Sequence, residues 1–152
     1  LKVVNKKHFD KNEFLINYVL GEAKIAPKVY NIERCDNNVH IVMQKIDTTL
    51  DKWLMKQRSA KSKTKAYTKI IELIKKMHDM NIVHGDIKSD NIGKIGSRWV
   101  LIDFGHSFYK SNTSLLTNRG KYIFRHIDAT LKSKTKPNNS GYTKHIAKMF
   151  KE

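Results

Sequence analysis

Two short stretches constrain this chain more than any other feature of its sequence. The first is Ile82–Asn91, with the sequence IVHGDIKSDN, and the second is Ile102–Gly105, with the sequence IDFG. Each stretch begins with apolar residues, and polar residues follow. Four of these polar side chains stand out, two carboxylates, one ammonium and one amide, at Asp86, Asp103, Lys88 and Asn91. Together they offer a proton acceptor, a cation and two groups that can bind a metal.

This set of side chains fits the transfer of a phosphoryl group from a nucleoside triphosphate. Such a reaction asks for positioning and charge neutralisation rather than covalent chemistry by the protein. We predict that Asp86 accepts the proton of the attacking hydroxyl and that Lys88 neutralises charge on the transferred phosphate. Asn91 and Asp103 offer oxygen ligands of the kind that Mg²⁺ prefers. Each residue taken alone could instead cap a turn or begin a strand.

At these positions the chain resembles the eukaryotic-type protein kinase superfamily, whose catalytic loop is H-R-D-x-x-x-x-N and whose metal loop is D-F-G. Gly85 stands where the arginine is usual. H-G-D is also seen in small-molecule phosphotransferases, in vaccinia-related kinases and in the small kinase of the KEOPS tRNA-modification complex. Lys88 favours the Ser/Thr protein kinases among these. The resemblance implies a minimal or truncated member, similar to the KEOPS small kinase or to virus-encoded kinases.

The resemblance implies an α+β fold of two lobes, with a reduced small lobe and a truncated large lobe. Residues 1–46 would form the partial small lobe, with one strand, the helix that the family calls C, and the hinge strand. Residues 47–152 would form the large lobe, which carries both loops. The resemblance extends to about residue 110, because no A-P-E motif follows the metal loop. Apolar surface left by missing helices would favour a protein partner that completes this lobe.

The resemblance also implies a nucleotide site for ATP. Lys2, at the end of a strand over residues 1–4, would hold the α- and β-phosphates, and Glu13 would be its partner, with Glu22 as the alternative. Met43 would occupy the gatekeeper position. Residues 44–46, and Gln44 and Ile46 in particular, would offer backbone groups to adenine. These assignments follow from the family and not from the spacing of the residues.

Two departures from the family concern the same nucleotide site. The seven glycines nowhere form G-x-G-x-x-G, so the loop that usually covers the phosphates is missing or lies upstream. Gly93 stands where the family places a bulky apolar floor for adenine, which predicts a roomy pocket or weak adenine packing. Asn91, two residues earlier, is assigned to the nucleotide as well as to its metal.

The hydrophobic pattern predicts the order of the elements along the chain. Residues 10–24 are expected to form a helix that packs through Phe14, Leu15, Tyr18 and Val19. The expected elements that follow are a strand at 39–46, a helix at 50–56 capped by Thr48 or Thr49, a solvated loop at 56–65, a buried helix at 67–80, a hairpin at 92–102 and a short helix at 142–151.

The net charge of +16, from 30 basic and 14 acidic residues, is the main anomaly of composition. It predicts attraction to polyanions and leaves nucleic acid open as a partner beside a protein substrate. The single cysteine, Cys35, allows no internal disulfide and fits a reducing compartment. No apolar run reaches membrane-spanning length, so we expect no membrane contact and a cytoplasmic protein, with the nucleus as the alternative.

The function predicted from these features is that of an ATP- and magnesium-dependent serine/threonine protein kinase with Asp86 as its base. One alternative is a kinase-like binding module without catalysis, which the missing glycine loop and the short large lobe favour. Another is a basic kinase-like subunit associated with tRNA or another nucleic acid. Intact acidic and amide residues in both loops count against the binding module.

Overall fold

The computed structural model describes residues 1–110, and the elements below are those of this part of the chain. The prediction of a helix at 142–151 lies outside the described residues. The elements are α+β, as the sequence predicts: three α-helices and eight strands in three small antiparallel sheets. The division into lobes at residue 46 remains a prediction.

The N-terminal sheet has three strands, β1 (Lys2–Asn5), β2 (Val29–Cys35) and β3 (Asn38–Met43), in the order β1-β3-β2. β2 and β3 form a hairpin in which Cys35 pairs with Asn38. Helix α1 (Lys11–Glu22) follows β1, and the carboxylate of Asp10 caps it by accepting the backbone N–H of Asn12 and of Glu13. The sheet and this helix bring Lys2 and Glu13 to the same side of the molecule.

The second half of the described chain begins with β4 (Thr48–Thr49) and the helices α2 (Leu50–Lys56) and α3 (Ala60–Asp79). The hairpin β6 (Ile92–Ile95) and β7 (Arg98–Leu101) pairs with β4 in the order β4-β6-β7. Finally, β5 (Ile82–Val83) pairs with β8 (Phe108–Tyr109), so the chain before the catalytic loop is bonded to the chain after the metal loop. This last pairing brings the two loops together.

The main hydrophobic core lies among α1, α3 and the strands that flank the loops. Its fully buried members include Ile16 and Leu20 of α1, Ile70 of α3, and Phe104 of the metal loop. A second, smaller cluster comprises Val29, Val39 and Ile41 of the N-terminal sheet. Because α1 and Phe104 share one core, packing couples the position of the helix to that of the metal loop.

The structure corrects the prediction of a solvated loop at 56–65. Only residues 57–59 lie between α2 and α3, because α3 begins at Ala60. Ser59 caps the helix by accepting the backbone N–H of Ser62 at 3.2 Å. The lysines of this stretch are good helix formers. The stretch lacks apolar periodicity because the first turns of α3 are exposed on most sides. The predictions for α2, for the buried helix and for the β6–β7 hairpin are confirmed, although Thr49 makes no side-chain cap bond.

The face through which α1 packs also differs from the prediction. Ile16 and Leu20 are fully buried, whereas Leu15 is 54% and Tyr18 is 46% exposed. Val19 packs, partly buried, against the main core as predicted, and Phe14 packs on the small cluster of the N-terminal sheet. The helix is apolar on two sides, so periodicity alone could not select the one that meets the main core.

No helix in the described residues is long and apolar enough to cross a membrane.

His78, near the end of α3, makes the stability of this fold depend on pH. Burial lowers the pKa of His78 from 6.5 to about 4. As the pH falls from 6.5 towards 4, the unfolded chain binds a proton here that the folded chain does not, so the free energy of unfolding falls. We expect a loss of about 2 kcal/mol from this residue between pH 7 and pH 4.5.

Urea denaturation of the parent and of His78→Gln at both pH values would measure this loss. The variant should lose about 2 kcal/mol less stability than the parent between pH 7 and pH 4.5. His8→Gln, which removes an exposed histidine, is the control and should follow the parent. Equal losses in the parent and in His78→Gln would contradict the prediction.

Candidate active site

A buried histidine joins the catalytic loop to the metal loop. The Nε2 atom of His84 lies 2.9 Å from the carbonyl oxygen of Ile102, and its Nδ1 atom lies 3.3 Å from the backbone nitrogen of Asp86. Since a backbone N–H can only donate, Nδ1 is the acceptor and Nε2 carries the proton. Burial lowers the pKa of His84, which favours this neutral form. His84 therefore positions the two loops and is not placed as a base.

The chain after the metal loop passes close to Gly85 of the catalytic loop. The φ of Gly85 is +83°, and a Cβ added to it would lie 2.3 Å from the carbonyl oxygen of His106. No side chain fits at that distance. The hydroxyl of Ser107 closes the contact by donating to the carbonyl oxygen of His84 at 2.8 Å. The arginine usual in this motif is thus excluded by the path of the chain after the metal loop.

Asp86, Lys88 and Asn91 form one cluster, as the sequence predicts. The side-chain amide nitrogen of Asn91 donates to Oδ2 of Asp86 at 3.0 Å and to its backbone oxygen at 2.9 Å. The Nζ atom of Lys88 lies 3.3 Å from the same Oδ2 atom and 3.8 Å from Oδ2 of Asp90. The hydrogen bond to Asp86 raises the pKa of Lys88, so the ammonium form is favoured.

Asp103, the acidic residue of the metal loop, has a strained backbone. Its φ is +63°, a conformation that costs a residue other than glycine roughly 1–3 kcal/mol. The turn is closed by the backbone N–H of Gly105, which donates to Oδ1 of Asp103 at 3.4 Å. Phe104 points the other way and is 1% exposed in the main core. Burial of Phe104 accompanies exposure of the Asp103 side chain, which is the arrangement a metal ligand needs.

Lys2 and Glu13 form the ion pair that the family resemblance implies, with Nζ and Oε1 at 2.9 Å. The alternative partner, Glu22, lies 3.8 Å from Lys28 instead. A Cβ added to Gly105 would lie 3.5 Å from Oδ1 of Asp103 and 3.9 Å from Oε2 of Glu13. The pair therefore lies beside the metal loop.

One of the bonds that hold helix α1 in this position was not expected from the sequence. The side-chain amide of Asn12 donates to the carbonyl oxygen of Ser107 at 3.1 Å. The two residues are 95 positions apart, so no local pattern in the sequence could have indicated the contact. Asn12 lies one position before Glu13, and its bond ties the glutamate to the loop that carries Asp103.

The proposed hinge is partly engaged in other contacts. Met43 lines a cleft together with Lys2 and Glu13. The backbone N–H of Gln44, however, donates to the carbonyl oxygen of Lys28 at 2.8 Å, so this group is not available to adenine. The side-chain oxygen of Gln44 accepts a hydrogen bond from the guanidinium of Arg98 at 3.1 Å.

The space beside Gly93 is not empty, which corrects the prediction of a roomy pocket. A Cβ added to Gly93 would lie 3.1 Å from Cγ2 of Ile46 and 3.3 Å from Cγ2 of Val100. Glycine here lets the side chain of Ile46 pack against β6. Apolar side chains of Ile46 and Val100 therefore fill the space beside this strand position.

The residues present fit magnesium bound together with a nucleotide. Within residues 1–110, no group of three or more His, Cys, Asp or Glu side chains could hold a metal ion by itself. Magnesium is usually held by one or two carboxylates together with phosphate and water. Asp103 can offer a carboxylate oxygen, and Asn91 can offer its amide oxygen because its amide nitrogen is turned towards Asp86.

A family model described as the RIO domain matches residues 5–129 of this chain. The match covers both loops, α1 and all three sheets except Lys2–Val4 of β1. It also extends beyond the limit of about residue 110 expected from the motifs alone. A kinase-like fold, predicted from the two loops, is thereby confirmed.

Two curated relatives carry the same description, probable bifunctional tRNA threonylcarbamoyladenosine biosynthesis protein. The one from Methanosarcina barkeri (strain Fusaro / DSM 804) is 34% identical over 84 residues, which are 55% of this chain and 13% of the relative. The one from Methanosphaera stadtmanae is 33% identical over 96 residues, which are 62% of this chain and 16% of the relative. The chain thus matches less than a fifth of the length of either relative.

Proposed function

This chain belongs to the RIO domain family, a kinase-like family, and on that premise we propose that it transfers the γ-phosphate of ATP to a serine or threonine hydroxyl of a protein substrate. One observation carries the proposal. Lys88 and Asn91 are both bonded to the carboxylate of Asp86, and His84 and the Gly85 contact hold this cluster against the loop that carries Asp103. Both predicted catalytic residues and both predicted metal ligands lie in these two loops, which supports the proposal.

The proposed roles follow from the contacts of each side chain. Asp86 accepts the proton of the substrate hydroxyl, and the amide of Asn91 orients its carboxylate. Lys88 is charged and half-exposed beside Asp86, where its ammonium can meet the negative charge of the transferred phosphate. Lys2, fixed by Glu13, orients the α- and β-phosphates. Met43 and Ile46 form apolar walls for adenine.

Asp103 and Asn91 would hold magnesium with the bound ATP. The metal, when bound, neutralises charge on the phosphates. The protein's own contribution is to keep Asp103 in its strained conformation before the nucleotide arrives. This preorganisation lowers the cost of ordering the site during binding.

The test is transfer of labelled phosphate from ATP to serine- and threonine-containing peptides and to the chain itself. We expect transfer with Mg²⁺, none after chelation with EDTA, and recovery when Mg²⁺ is restored in excess, because the phosphate charges require neutralisation. Phosphoamino-acid analysis identifies the acceptor. A folded protein that binds ATP but transfers no phosphate would contradict the proposal and favour a kinase-like binding module.

A second candidate function is association with tRNA. The two relatives are described by a role in tRNA threonylcarbamoyladenosine biosynthesis, and the net charge of +16 suits a polyanionic partner. We propose that this chain acts within such a system, in the cytoplasm, together with a protein partner. Binding of a tRNA transcript that weakens steeply with salt would support this candidate. It does not depend on whether the chain transfers phosphate to a protein.

A further inference from the structure

Basic charge is concentrated on one part of the described structure. Between Lys52 and Lys76, nine side chains are lysine or arginine, and Glu72 is the one acidic residue. This segment comprises most of α2 and all but the last turn of α3. In a solvated loop these charges would be spread over many conformations. On two ordered helices they are held at fixed positions, where a polyanion could bind them.

The lysines of α3 fall on a common face. Lys61, Lys65, Lys69 and Lys76 are exposed and lie four, four and seven residues apart, which places them within an arc of about 80° on a helix of 3.6 residues per turn. At 1.5 Å per residue, the row is about 22 Å long. Glu72 pairs with Lys69 at 3.0 Å. Within residues 1–110, no acidic side chain forms an ion pair with the other three.

The row continues into a groove between α3 and the β6–β7 hairpin. Lys24 and Arg98 line the groove opposite Lys69 and Lys76. The guanidinium of Arg98 is held in place, because it donates to the carbonyl oxygen of Lys24 at 3.2 Å and to the side chain of Gln44 at 3.1 Å. None of the residues that line this groove belongs to the candidate active site. The groove is therefore a separate positive surface.

The groove suits a phosphate backbone better than an acidic peptide or an unpaired RNA strand. A docked peptide needs apolar anchors, but the apolar floor of the groove is buried, with Ile25 at 2% and Leu73 at 9% exposure. Unpaired bases bind by stacking on exposed aromatic rings, and Trp99 is only 6% exposed. A double-helical backbone needs neither feature, and a row of about 22 Å spans several of its phosphates.

We propose that this surface, formed by Lys61, Lys65, Lys69, Lys76, Lys24 and Arg98, binds the double-helical backbone of RNA. We call it the α3 basic surface. The proposal rests on the second candidate function, association with tRNA, and adds the place of contact. It predicts recognition of charge and helical shape without discrimination among base sequences. It does not require phosphoryl transfer.

The experiment measures binding of an unmodified tRNA transcript by fluorescence anisotropy over a range of salt concentrations. The test variant combines Lys61→Gln, Lys65→Gln and Lys76→Gln, three residues outside the active site. We expect its affinity at 0.1 M salt to fall at least about tenfold, and the slope of log affinity against log salt to fall by about 2. The matched control combines Lys7→Gln, Lys11→Gln and Lys110→Gln, changes net charge equally, and should bind within about twofold of the parent.

The possible outcomes separate the surface from the function on which it rests. If the parent does not bind the transcript, both the tRNA association and the α3 basic surface are wrong. If the parent binds and both triple variants weaken equally, or the test variant binds as the parent does, only the surface is wrong. Stronger binding to a single strand than to the helical transcript, or to poly-glutamate alone, would also overturn the surface. Thermal melting checks that both variants are folded.

Discussion

Replacing Asp86 by asparagine should abolish most of the phosphoryl transfer while leaving the protein folded. The amide has nearly the shape of the carboxylate but cannot accept the substrate proton, and a general base contributes typically about 10²–10⁴-fold. The bond from Asn91 to Oδ2 of Asp86 can be kept by the new side-chain oxygen. We therefore expect kcat to fall about 10²–10⁴-fold with ATP affinity changed little.

Asp90→Asn is the matched control for this prediction. Both aspartates lie near the ammonium of Lys88, at 3.3 Å for Asp86 and 3.8 Å for Asp90, but Asp90 is exposed and accepts no bond from Asn91. Removing it changes the net charge by the same amount without touching the proposed base. Comparable losses in both variants would show that the effect is electrostatic, and Asp86 would no longer be the base.

Replacing Gly85 by alanine should destabilise the fold strongly, because the added methyl group has no room beside the chain that follows the metal loop. The new Cβ would meet the carbonyl oxygen of His106 at 2.3 Å, and the backbone is already at φ +83°. The positive φ alone costs about 1–2 kcal/mol with a side chain, and the enforced shift of the loop adds about 1–3 kcal/mol. Gly85→Arg, which would restore the usual motif of the kinase superfamily, should be worse still.

Gly96→Ala separates the cost of the positive φ from the cost of the steric contact with His106. Gly96 also has a positive φ, +57°, but a Cβ there meets nothing within 4 Å. Chemical denaturation should show a loss of about 1 kcal/mol for this control and a further loss of about 1–3 kcal/mol for Gly85→Ala. If both variants lose the same stability, the loops are not as close as the structure places them. Reduced phosphoryl transfer in Gly85→Ala should accompany its loss of stability, because the same contact aligns Asp86 with the metal loop.

The identity of the candidate site followed from local sequence. Asp86, Lys88 and Asn91 lie within six residues of one another, so a short loop is enough to bring their side chains close together. The cluster in the structure accordingly matches the expectation. The RIO domain match agrees with the kinase-like interpretation of these few residues.

Interactions between residues far apart in the chain could not be predicted from local sequence. The choice of Glu13 over Glu22 as the partner of Lys2 came from family resemblance, and only the packing of α1 brings the two atoms to 2.9 Å. The hydrogen bond from Asn12 to Ser107 joins residues 95 positions apart, so no local sequence pattern indicates it. The side of α1 that meets the core was predicted only in part, because apolar residues lie on two sides of that helix: Val19 packs against the core, whereas Leu15 and Tyr18 are exposed.

Sequence by itself determined the chemistry of the two loops, the α+β class and the excess of positive charge, because each depends on residue type and short spacing. Tertiary structure decided where that charge lies and why Gly85 replaces arginine. The lysines after Ser59 form a continuous positive surface because they lie on a helix. The sequence pattern alone could not decide between a helix and a solvated loop here, because the stretch has a capping serine and good helix formers but no apolar periodicity. Gly85 is required by the carbonyl of His106, 21 positions later, and only the folded path of the chain makes that contact.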